Sequence, residues 1–535
     1  MSVSRIFLVC GLAALALAAR TYGIFNGSIF VDDVWSLAGA TGHSLDIRLD
    51  GRPAGESYAD PQGPVPASFF LEYLKPQPGN NPWHVAVVSS AAESHPPLYQ
   101  VFLYLWMCAF GYTIAAGRAF SLFFSLASIL LLFGLARRLA GERAAWIACL
   151  LCAVAPFQSY LAVQVRGYTL YSFLVLATAW LTFEILEQGP GADRVRLLTW
   201  LGVAGILTHY YFVIYSFLQG LALLTQRRSR STAVRVGTVW TAVIAALGFY
   251  ALVQPCWLVH PPKLLAQDVS WMIIQTAAGL TDLLVFLPEA RDPLTLPASL
   301  LQTIGIRFLL VAALGVAMLV AARNLPRRHM VFLLTWLAAP ILLIFAMDWL
   351  RDTQTVNTAR YYAGSSFASY LLLAAGLAQL KPVVRWPVTA FLVLVMLTDQ
   401  LAYRALPTGT FVDGSDCRQA AMTIGSGWKS QDLVIVQSSY GSAPISLAYY
   451  LPPQAPMLAL IYFLRPEQGP IAMSPSLDTL QPRLEKWVAG KPHIWVLRMF
   501  TDVSARDMDS WLLARYRRVN GYRYGSLLLF EMAAK

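Results

Sequence analysis

Residues 4–40 read "SRIFLVCGLAALALAARTYGIFNGSIFVDDVWSLAGA", an apolar run followed about ten residues later by the adjacent carboxylates Asp32 and Asp33. The run is long enough to cross most of the roughly 30 Å of bilayer hydrocarbon as a helix. A cleaved signal peptide ending near the "ALA" at residue 18 is the alternative interpretation. We favour an uncleaved first helix over residues 5–22, because it places the two carboxylates where the chain leaves the lipid.

The composition of the whole chain is that of an integral membrane protein. Of its 535 residues, 57% are hydrophobic and 13% are charged, against roughly one-quarter charged in ordinary soluble domains. The net charge of +11 comes from clusters beside apolar runs, such as "TQRRSRS" and "RNLPRRH". Such clusters indicate cytoplasmic membrane anchoring and not nucleic-acid binding. The six cysteines lack regular spacing, and no disulfide framework or zinc module is indicated.

Apolar runs and the placement of Lys and Arg predict about eleven membrane spans. The predicted spans are 5–22, 117–139, 144–162, 167–187, two short helices within 196–225 that turn at "THYY", 233–254, 303–323, 330–347, 361–380 and 386–402. We interpret the apolar run 97–113 as interfacial or re-entrant, because a span there would place "ARRLAGER" outside, against the positive-inside rule. Residues 268–288 are expected to form an amphipathic helix along the outer surface.

The first helix is predicted to leave the cytoplasm, and the odd number of spans then places the chain from about residue 404 outside the membrane. In that part, "DLVIVQSS" and "HIWVLRMF" are typical of buried strands, and "SARDMDSWLLARY" of an amphipathic helix. We therefore predict an all-α polytopic membrane domain at residues 1–403, with a first outer loop at 23–94. A small C-terminal α/β extracytoplasmic domain is predicted at 404–535. Nothing in the latter has the pattern of a phosphate loop, nucleophile elbow or metal site.

The predicted outer face collects nearly every unusual polar motif of the chain. These motifs are "VDDVWS", "ESHPPLY" at 93–99, "VQVRGYTL" at 163–170, "LTHYYF" at 207–212 and "NTARYY" at 357–362. Ionisable groups near the hydrocarbon boundary are costly unless they pair or line a wet cavity, so their common side suggests one cavity. A carboxylate there can accept the proton of an attacking hydroxyl, while His95, Arg166, His209 and Arg360 can neutralise an anionic leaving group such as a phosphate. This combination favours a transferase.

Each motif by itself also has a purely structural interpretation. Asp32 and Asp33 can cap a helix that opens at "DVWSLAGA". Arginines at helix ends, such as Arg166 and Arg360, can be snorkelling anchors. His209 among aromatic residues fits an interfacial belt, and "HPPLY" fits a helix start.

The order of the motifs resembles that of bacterial members of the protein O-mannosyltransferase and aminoarabinose-transferase superfamily. These are polytopic glycosyltransferases of the C-type fold that use polyprenyl-phosphate sugars. The resemblance covers about residues 1 to 400. It rests on an acidic pair after the first helix, "HPPLY", an R-x-Y-x-L pattern at residues 166–170, "THYY", and "ARYY" before a late helix.

The resemblance implies a role for each matching residue. Asp32 matches the base that deprotonates the acceptor hydroxyl, and Asp33 matches its acidic partner, so both are expected to be catalytic. His95, Arg166 and Arg360 match groups near the phosphate of the donor. Tyr99, Tyr168, His209, Tyr210 and Tyr361 are expected to line the substrate cavity. The implied reaction inverts the anomeric centre, with polyprenyl phosphate as leaving group. Some branches of the family bind a divalent metal; no metal site or other cofactor is predicted for this chain.

The predicted function is therefore that of a glycosyltransferase of the bacterial inner membrane. It would move one sugar from a polyprenyl-phosphate donor to a hydroxyl of a lipid, glycan or protein acceptor at the outer face. A transporter or flippase of a lipid-linked saccharide is the alternative, and it predicts inverted repeats and broken helices near the bilayer midplane. The sequence has no convincing internal repeat. A third possibility is that residues 404–535 serve in binding and assembly.

Overall fold

The computed structural model describes residues 3–45, 63–92, 95–253, 269–284, 298–351, 355–405, 416–438, 441–461, 477–499, 505–524 and 527–535. The described residues divide into two units. The helical unit contains those of Met1–Phe25, Arg118–Gln254 and Pro261–Arg404, and the mixed unit contains those of Asn26–Gly117 and Ala405–Lys535.

The described helices are α1 Val3–Asn26, α2 Val31–Ala40, α3 Ala67–Leu71, α4 Pro82–Ala92, α5 Leu98–Phe110, α6 Ile114–Ala140, α7 Glu142–Val154, α8 Pro156–Ala162, α9 Tyr168–Gln188, α10 Ala192–Thr208, α11 Phe212–Leu224, α12 Arg230–Val253, α13 Val269–Asp282, α14 Ala298–Asn324, α15 Arg327–Arg351, α16 Ser365–Gln379, α17 Pro382–Ala405, α18 Cys417–Gly427, α19 Ala443–Ala448, α20 Leu477–Val488 and α21 Ala505–Arg515. The described strands are β1 Val65–Pro66, β2 Leu433–Ser438, β3 Pro456–Ile461, β4 His493–Met499, β5 Tyr516–Tyr524 and β6 Leu527–Ala534.

The helical unit follows the predicted apolar runs closely. Among the described residues, five helices (α6, α9, α12, α15 and α17) are long and apolar enough to cross a membrane singly. The pair α7 and α8, bent by 59°, qualifies as one broken span. The bend lies at Pro156, the first residue of α8, because proline has no N–H to continue the α7 hydrogen-bond ladder. This is the architecture of a multi-pass membrane protein, and the count of about eleven spans stays a prediction.

The predicted break at "THYY" is confirmed. Helix α10 ends at Thr208 and α11 begins at Phe212, with His209 in an extended conformation between them. The turn is tight because Gly205 carries no side chain: a Cβ there would come within 2.3 Å of the Phe212 ring. The structure also joins α10 to α12, since the Trp240 indole N–H donates to the Thr199 carbonyl at 3.0 Å.

The mixed unit contains a six-stranded sheet of order β1-β3-β2-β4-β6-β5. Strands β3, β2 and β4 are parallel to one another, and β6 is antiparallel to β4. The two strands predicted from "DLVIVQSS" and "HIWVLRMF" are β2 and β4, and the predicted amphipathic helix is α21. Helices α20 and α21 bury Leu484 and Leu512 against the sheet. The α/β character of the C-terminal part is thereby confirmed.

The described part of the predicted first outer loop, residues 23–94, belongs to the mixed unit from Asn26 onward. Strand β1 pairs antiparallel to β3, with Val65 opposite Met457. The Ile29 N–H donates to the Tyr450 hydroxyl at 2.8 Å, and α2 and α3 pack on α19. The C-terminal part of the chain therefore holds the helix that carries the two carboxylates. The division into domains at residue 403 stays a prediction.

Candidate active site

Three of the predicted motifs meet at one end of the helical unit, although they lie far apart in the sequence. Arg166 is in the turn between α8 and α9, and His209 is in the break between α10 and α11. Arg360 is in a single 3-10 turn, Ala359–Tyr362, just before α16. The helices therefore bring their polar termini together and not their apolar interiors.

Aromatic side chains hold the Arg360 guanidinium in place. Its Nη1 donates to the Tyr160 hydroxyl at 3.3 Å. Its central carbon lies 5.5 Å from the ring centroid of Tyr168 and 5.8 Å from that of Tyr361. Cation–π contacts of this kind are each worth about 0.5–2 kcal/mol and leave the positive charge on the arginine. The guanidinium is thus positioned without being neutralised by these three neighbours.

His209 is at the centre of the same group of rings. Its imidazole stacks on Tyr171 at 4.8 Å and lies 5.5 Å from both Tyr168 and Tyr211. The Tyr171 hydroxyl donates to the Tyr361 carbonyl at 3.0 Å, and the Tyr211 and Tyr361 rings are 4.9 Å apart. We call this group the cation–aromatic cluster; it consists of Tyr160, Arg166, Tyr168, Tyr171, His209, Tyr211, Arg360 and Tyr361.

Burial and two positive neighbours keep His209 uncharged. Burial, followed by the charges of Arg166 and Arg360, lowers the pKa of His209 from 6.5 to about 3. The effect also shows that both guanidinium groups are electrostatically close to this imidazole. The side chain is therefore neutral at physiological pH, which argues against the cationic role considered for it. The positive charge of the cluster resides on the two arginines.

This lowered pKa predicts an acid-dependent loss of stability. Because the folded-state pKa lies below the unfolded value of 6.5, the unfolded chain binds this proton first, and stability falls as the pH drops from about 6.5 toward 3. Neutral glutamine at position 209 removes the effect. We expect the Tm of the wild type to fall between pH 7.5 and pH 4.5 by about 2–4 °C more than that of His209→Gln. Equal falls in thermal unfolding scans would contradict the prediction.

The two adjacent carboxylates differ in their surroundings. Asp33 is 1% exposed and occupies the third position of α2. Its Oδ2 accepts from the Phe30 N–H at 3.4 Å, so Asp33 satisfies a backbone donor at the helix start. Asp32 is half-buried. The capping interpretation therefore fits Asp33, and Asp32 is the more accessible carboxylate of the pair.

The cap predicts a stability effect at position 33. Asp33→Ala removes the acceptor for the Phe30 N–H and should lower the free energy of unfolding by about 1 kcal/mol. Asp33→Asn keeps an oxygen that can accept the same hydrogen bond and serves as the matched control. Thermal unfolding of the two variants in detergent should rank alanine below asparagine. A Tm for Asp33→Ala equal to that of Asp33→Asn would show that the cap contributes nothing.

The "HPPLY" motif begins a helix, as the structural alternative proposed. Pro97 is the N-cap of α5, Tyr99 lies in the first turn at 2% exposure, and His95 is half-buried just before it. At 13 residues, α5 is roughly 20 Å long, shorter than the hydrocarbon thickness. This length agrees with the interfacial interpretation of residues 97–113.

The structure brings together five of the predicted site residues: Arg166, Tyr168, His209, Arg360 and Tyr361. Tyr210 is half-buried at the same helix break. Asp32, Asp33, His95 and Tyr99 belong to the mixed unit. Three cluster tyrosines were not predicted. Of these, Tyr171 follows Tyr168 by three residues on one face of α9, and Tyr211 follows Tyr210 in "THYY", whereas no sequence signal marks Tyr160. Within the described residues, no group of three or more His, Cys, Asp or Glu side chains is arranged to hold a metal.

Comparisons with known proteins identify the fold. The family model described as dolichyl-phosphate-mannose-protein mannosyltransferase matches residues 94–257. The structure aligns with that of ArnT from Cupriavidus metallidurans bound to undecaprenyl phosphate, with a TM-score of 0.54 and 13% identity over 98% of this chain and 97% of ArnT. The chain has the C-type glycosyltransferase fold. The resemblance predicted from the motif order is thus confirmed.

Two other C-type glycosyltransferases align at lower similarity. The oligosaccharyltransferase of Archaeoglobus fulgidus, tethered with an acceptor peptide, gives a TM-score of 0.46 and 12% identity over 99% of this chain and 74% of that one. The mycobacterial arabinofuranosyltransferase AftD gives 0.46 and 13% over 98% and 40%. No curated protein sequence matches this chain. The family-model match contains His95, Tyr99, Arg166, Tyr168, His209 and Tyr210.

Proposed function

We propose that this protein is an inverting glycosyltransferase that moves a sugar from a polyprenyl-phosphate donor to an acceptor hydroxyl at the outer face of the bacterial inner membrane. The observation that carries the proposal is the cation–aromatic cluster. Three separate motifs of the chain converge to place Arg360 among buried aromatic rings and Arg166 near the His209 imidazole. Such a site is suited to an anion that is covalently attached to an apolar chain.

The cluster is suited to a phosphate leaving group. An arginine guanidinium presents paired N–H donors that match phosphate oxygens, and such contacts strengthen where water is excluded. As the sugar departs, the charge of the lipid phosphate grows from one to two. Because this charge is already developing in the transition state, Arg166 and Arg360 bind the transition state more strongly than the ground state, which is the condition for catalysis. His95 is a further candidate donor to the same phosphate.

Asp32 supplies the base in this mechanism. It accepts the proton of the acceptor hydroxyl while the oxygen bonds to the anomeric carbon from the face opposite the phosphate. The bond between that carbon and the phosphate oxygen breaks, and its electron pair remains on polyprenyl phosphate. Asp33, whose carboxylate caps α2, holds the helix that presents Asp32. The configuration at the anomeric carbon inverts because the displacement is direct.

The charge distribution along the helices supports the orientation. The cluster lies at the starts of α9 and α11. The exposed pairs Arg227, Arg228 and Arg327, Arg328 lie after α11 and at the start of α15. The positive-inside rule assigns these arginines to the cytoplasm and so directs the cluster outward. The presence of undecaprenyl phosphate in ArnT supports the same class of lipid donor.

The proposal is tested with purified protein in nanodiscs, supplied with a panel of polyprenyl-phosphate sugars and extracted envelope lipids and glycans as acceptors. Mass spectrometry follows free polyprenyl phosphate. We expect release from one donor, and no release by Asp32→Asn. The contradictory result is movement of a labelled lipid-linked sugar between leaflets of vesicles with no release from any donor, which would establish the flippase alternative.

A further inference from the structure

A cavity lies in the helical unit between α9, α11 and α15. Its volume is about 640 Å³, and its walls include Phe183, Leu218, Ala222, Phe332 and Trp336. Its inner end reaches Tyr215, whose ring centroid lies 5.9 Å from that of Tyr171 in the cation–aromatic cluster, but its mouth is far from that cluster. At 1.5 Å per residue, α9 separates Tyr168 in the cluster from Glu187 at the cavity mouth by roughly 28 Å, close to the thickness of bilayer hydrocarbon. The mouth therefore lies at the level of the opposite leaflet.

The walls of this cavity contain buried polar atoms that have no hydrogen-bond partner among the residues that the structure describes. They are the Trp336 Nε1, the Gln219 Oε1 and the His329 Nδ1. The three residues are 5%, 7% and 8% exposed, respectively. Buried polar atoms without partners are rare in native proteins and usually mark a bound ligand or ordered water. The Trp336 indole N–H is a donor and the Gln219 Oε1 is an acceptor, so ordered water beside the occupant can satisfy both, and the occupant itself is expected to have a long apolar part.

The mouth of the cavity is strongly basic. Arg327 and Arg328 are exposed there. The guanidinium of Arg228 donates to the Glu187 carbonyl at 3.1 Å. The Glu187 carboxylate pairs with Arg328 at 2.9 Å and with His329 at 3.3 Å. The mouth thus has three arginines, of which Arg328 pairs with the one carboxylate, so an excess of two positive charges remains. Basic sites of this kind between transmembrane helices attract anionic lipid head groups.

We propose that this cavity binds an acyl chain of an anionic phospholipid from the leaflet opposite to the cation–aromatic cluster. The phosphate lies among Arg228, Arg327 and Arg328. The glycerol ester region lies beside His329 at the mouth, and the chain runs along Phe183 and Phe332 toward Trp336. A zwitterionic phospholipid fills the same apolar volume but leaves the excess charge uncompensated, so the site selects for net negative charge. This proposal does not depend on the transferase activity.

Native mass spectrometry of the full-length protein tests the site. The protein is equilibrated with equal amounts of dioleoyl phosphatidylglycerol and dioleoyl phosphatidylcholine. We expect one retained phosphatidylglycerol per chain and a preference of roughly tenfold, since each basic residue near an anionic lipid typically strengthens binding several-fold. The double variant Arg327→Gln, Arg328→Gln should lose that preference. Ala222→Phe, which fills the cavity, should lower retention of both lipids.

A matched control removes two arginines away from the cavity. Arg143 and Arg196 are exposed near the starts of α7 and α10, at the same basic end, and neither lines the cavity. The double variant Arg143→Gln, Arg196→Gln should keep the full lipid preference. If both double variants lost the preference for phosphatidylglycerol equally, the preference would arise from the net charge of the protein and not from the cavity, which would overturn the proposal.

Two other results would also overturn it. One is equal retention of the two phospholipids by the wild type. The other is a result in which polyprenyl phosphate displaces the retained lipid from the wild type but not from Arg360→Gln. In that result, the double variant Arg327→Gln, Arg328→Gln would retain the lipid as the wild type does. That pattern would assign the cavity to the chain of the donor. All of these are binding measurements, so they are decided independently of whether sugar transfer is observed.

Discussion

Replacing Asp32 with asparagine is expected to abolish most sugar transfer, with a fall in rate of at least about a hundredfold. Asparagine has nearly the same shape but cannot accept the proton of the acceptor hydroxyl. The effect should appear in kcat, while binding of the donor stays near that of the wild type, because the donor phosphate is assigned to the arginines. The measurement is the initial rate of polyprenyl phosphate release in nanodiscs.

The neighbouring carboxylate provides the matched control for this experiment. Asp33→Asn removes the same charge one residue away but keeps an oxygen that can accept from the Phe30 N–H. We expect it to lower the rate by much less than Asp32→Asn. Transfer at the wild-type rate by correctly inserted Asp32→Asn, or a larger loss in Asp33→Asn, would show that the base is assigned to the wrong residue.

Arg360→Gln is expected to have the second large effect, a fall of about 10²–10³ in kcat. The substitution removes the positive charge that stabilises the departing phosphate and also the cation–π contacts with Tyr168 and Tyr361. Arg360→Lys restores the charge without the planar donor fork and should recover part of the rate. Rates measured at saturating donor separate the loss in kcat from weaker donor binding.

The control for Arg360 is an exposed arginine outside the cluster. Arg143→Gln changes the net charge equally and should leave the rate unchanged. A structural role for Arg360 alone would instead give glutamine and lysine variants with the same loss and a lowered Tm. That outcome would contradict assignment of Arg360 to the leaving group.

The helices of the membrane part were predictable because their signals are local. Apolar length and basic loop residues locate α6, α9 and α15 without knowledge of any tertiary contact. The interruption at "THYY" was also predictable, since 30 residues are too many for one straight span. By contrast, the 59° bend at Pro156, inside the segment 144–162 that was predicted as one span, was not predicted.

The attachment of the first loop to the C-terminal sheet was not predictable from the sequence. Strand β1 is only two residues long, Val65 and Pro66, so it has no periodicity that identifies a strand. Its partner β3 lies almost 400 residues away, as the pairing of Val65 with Met457 shows. The register of such a long-range pair depends on packing, which a single sequence does not encode locally.

The candidate site was predictable in its residue types but not in its detailed contacts. Successive spans alternate in direction, so the number of spans before each motif predicts its side of the membrane. Arg166, His209 and Arg360 were therefore expected at one end of the unit. The contact of the Tyr160 hydroxyl with Arg360 has no such signal, because the position of Tyr160 depends on the bend between α7 and α8. The neutral state of His209 likewise follows from burial beside two arginines, which the sequence alone does not reveal.

The most direct test of the account is a comparison of polyprenyl phosphate with polyprenol, the same chain without the phosphate, in binding to wild type and Arg360→Gln in nanodiscs. If the cation–aromatic cluster holds the donor phosphate, the wild type binds polyprenyl phosphate at least about tenfold more tightly, and Arg360→Gln loses most of that difference. Equal affinity of the wild type for both lipids, or an unchanged preference in Arg360→Gln, would contradict the central claim.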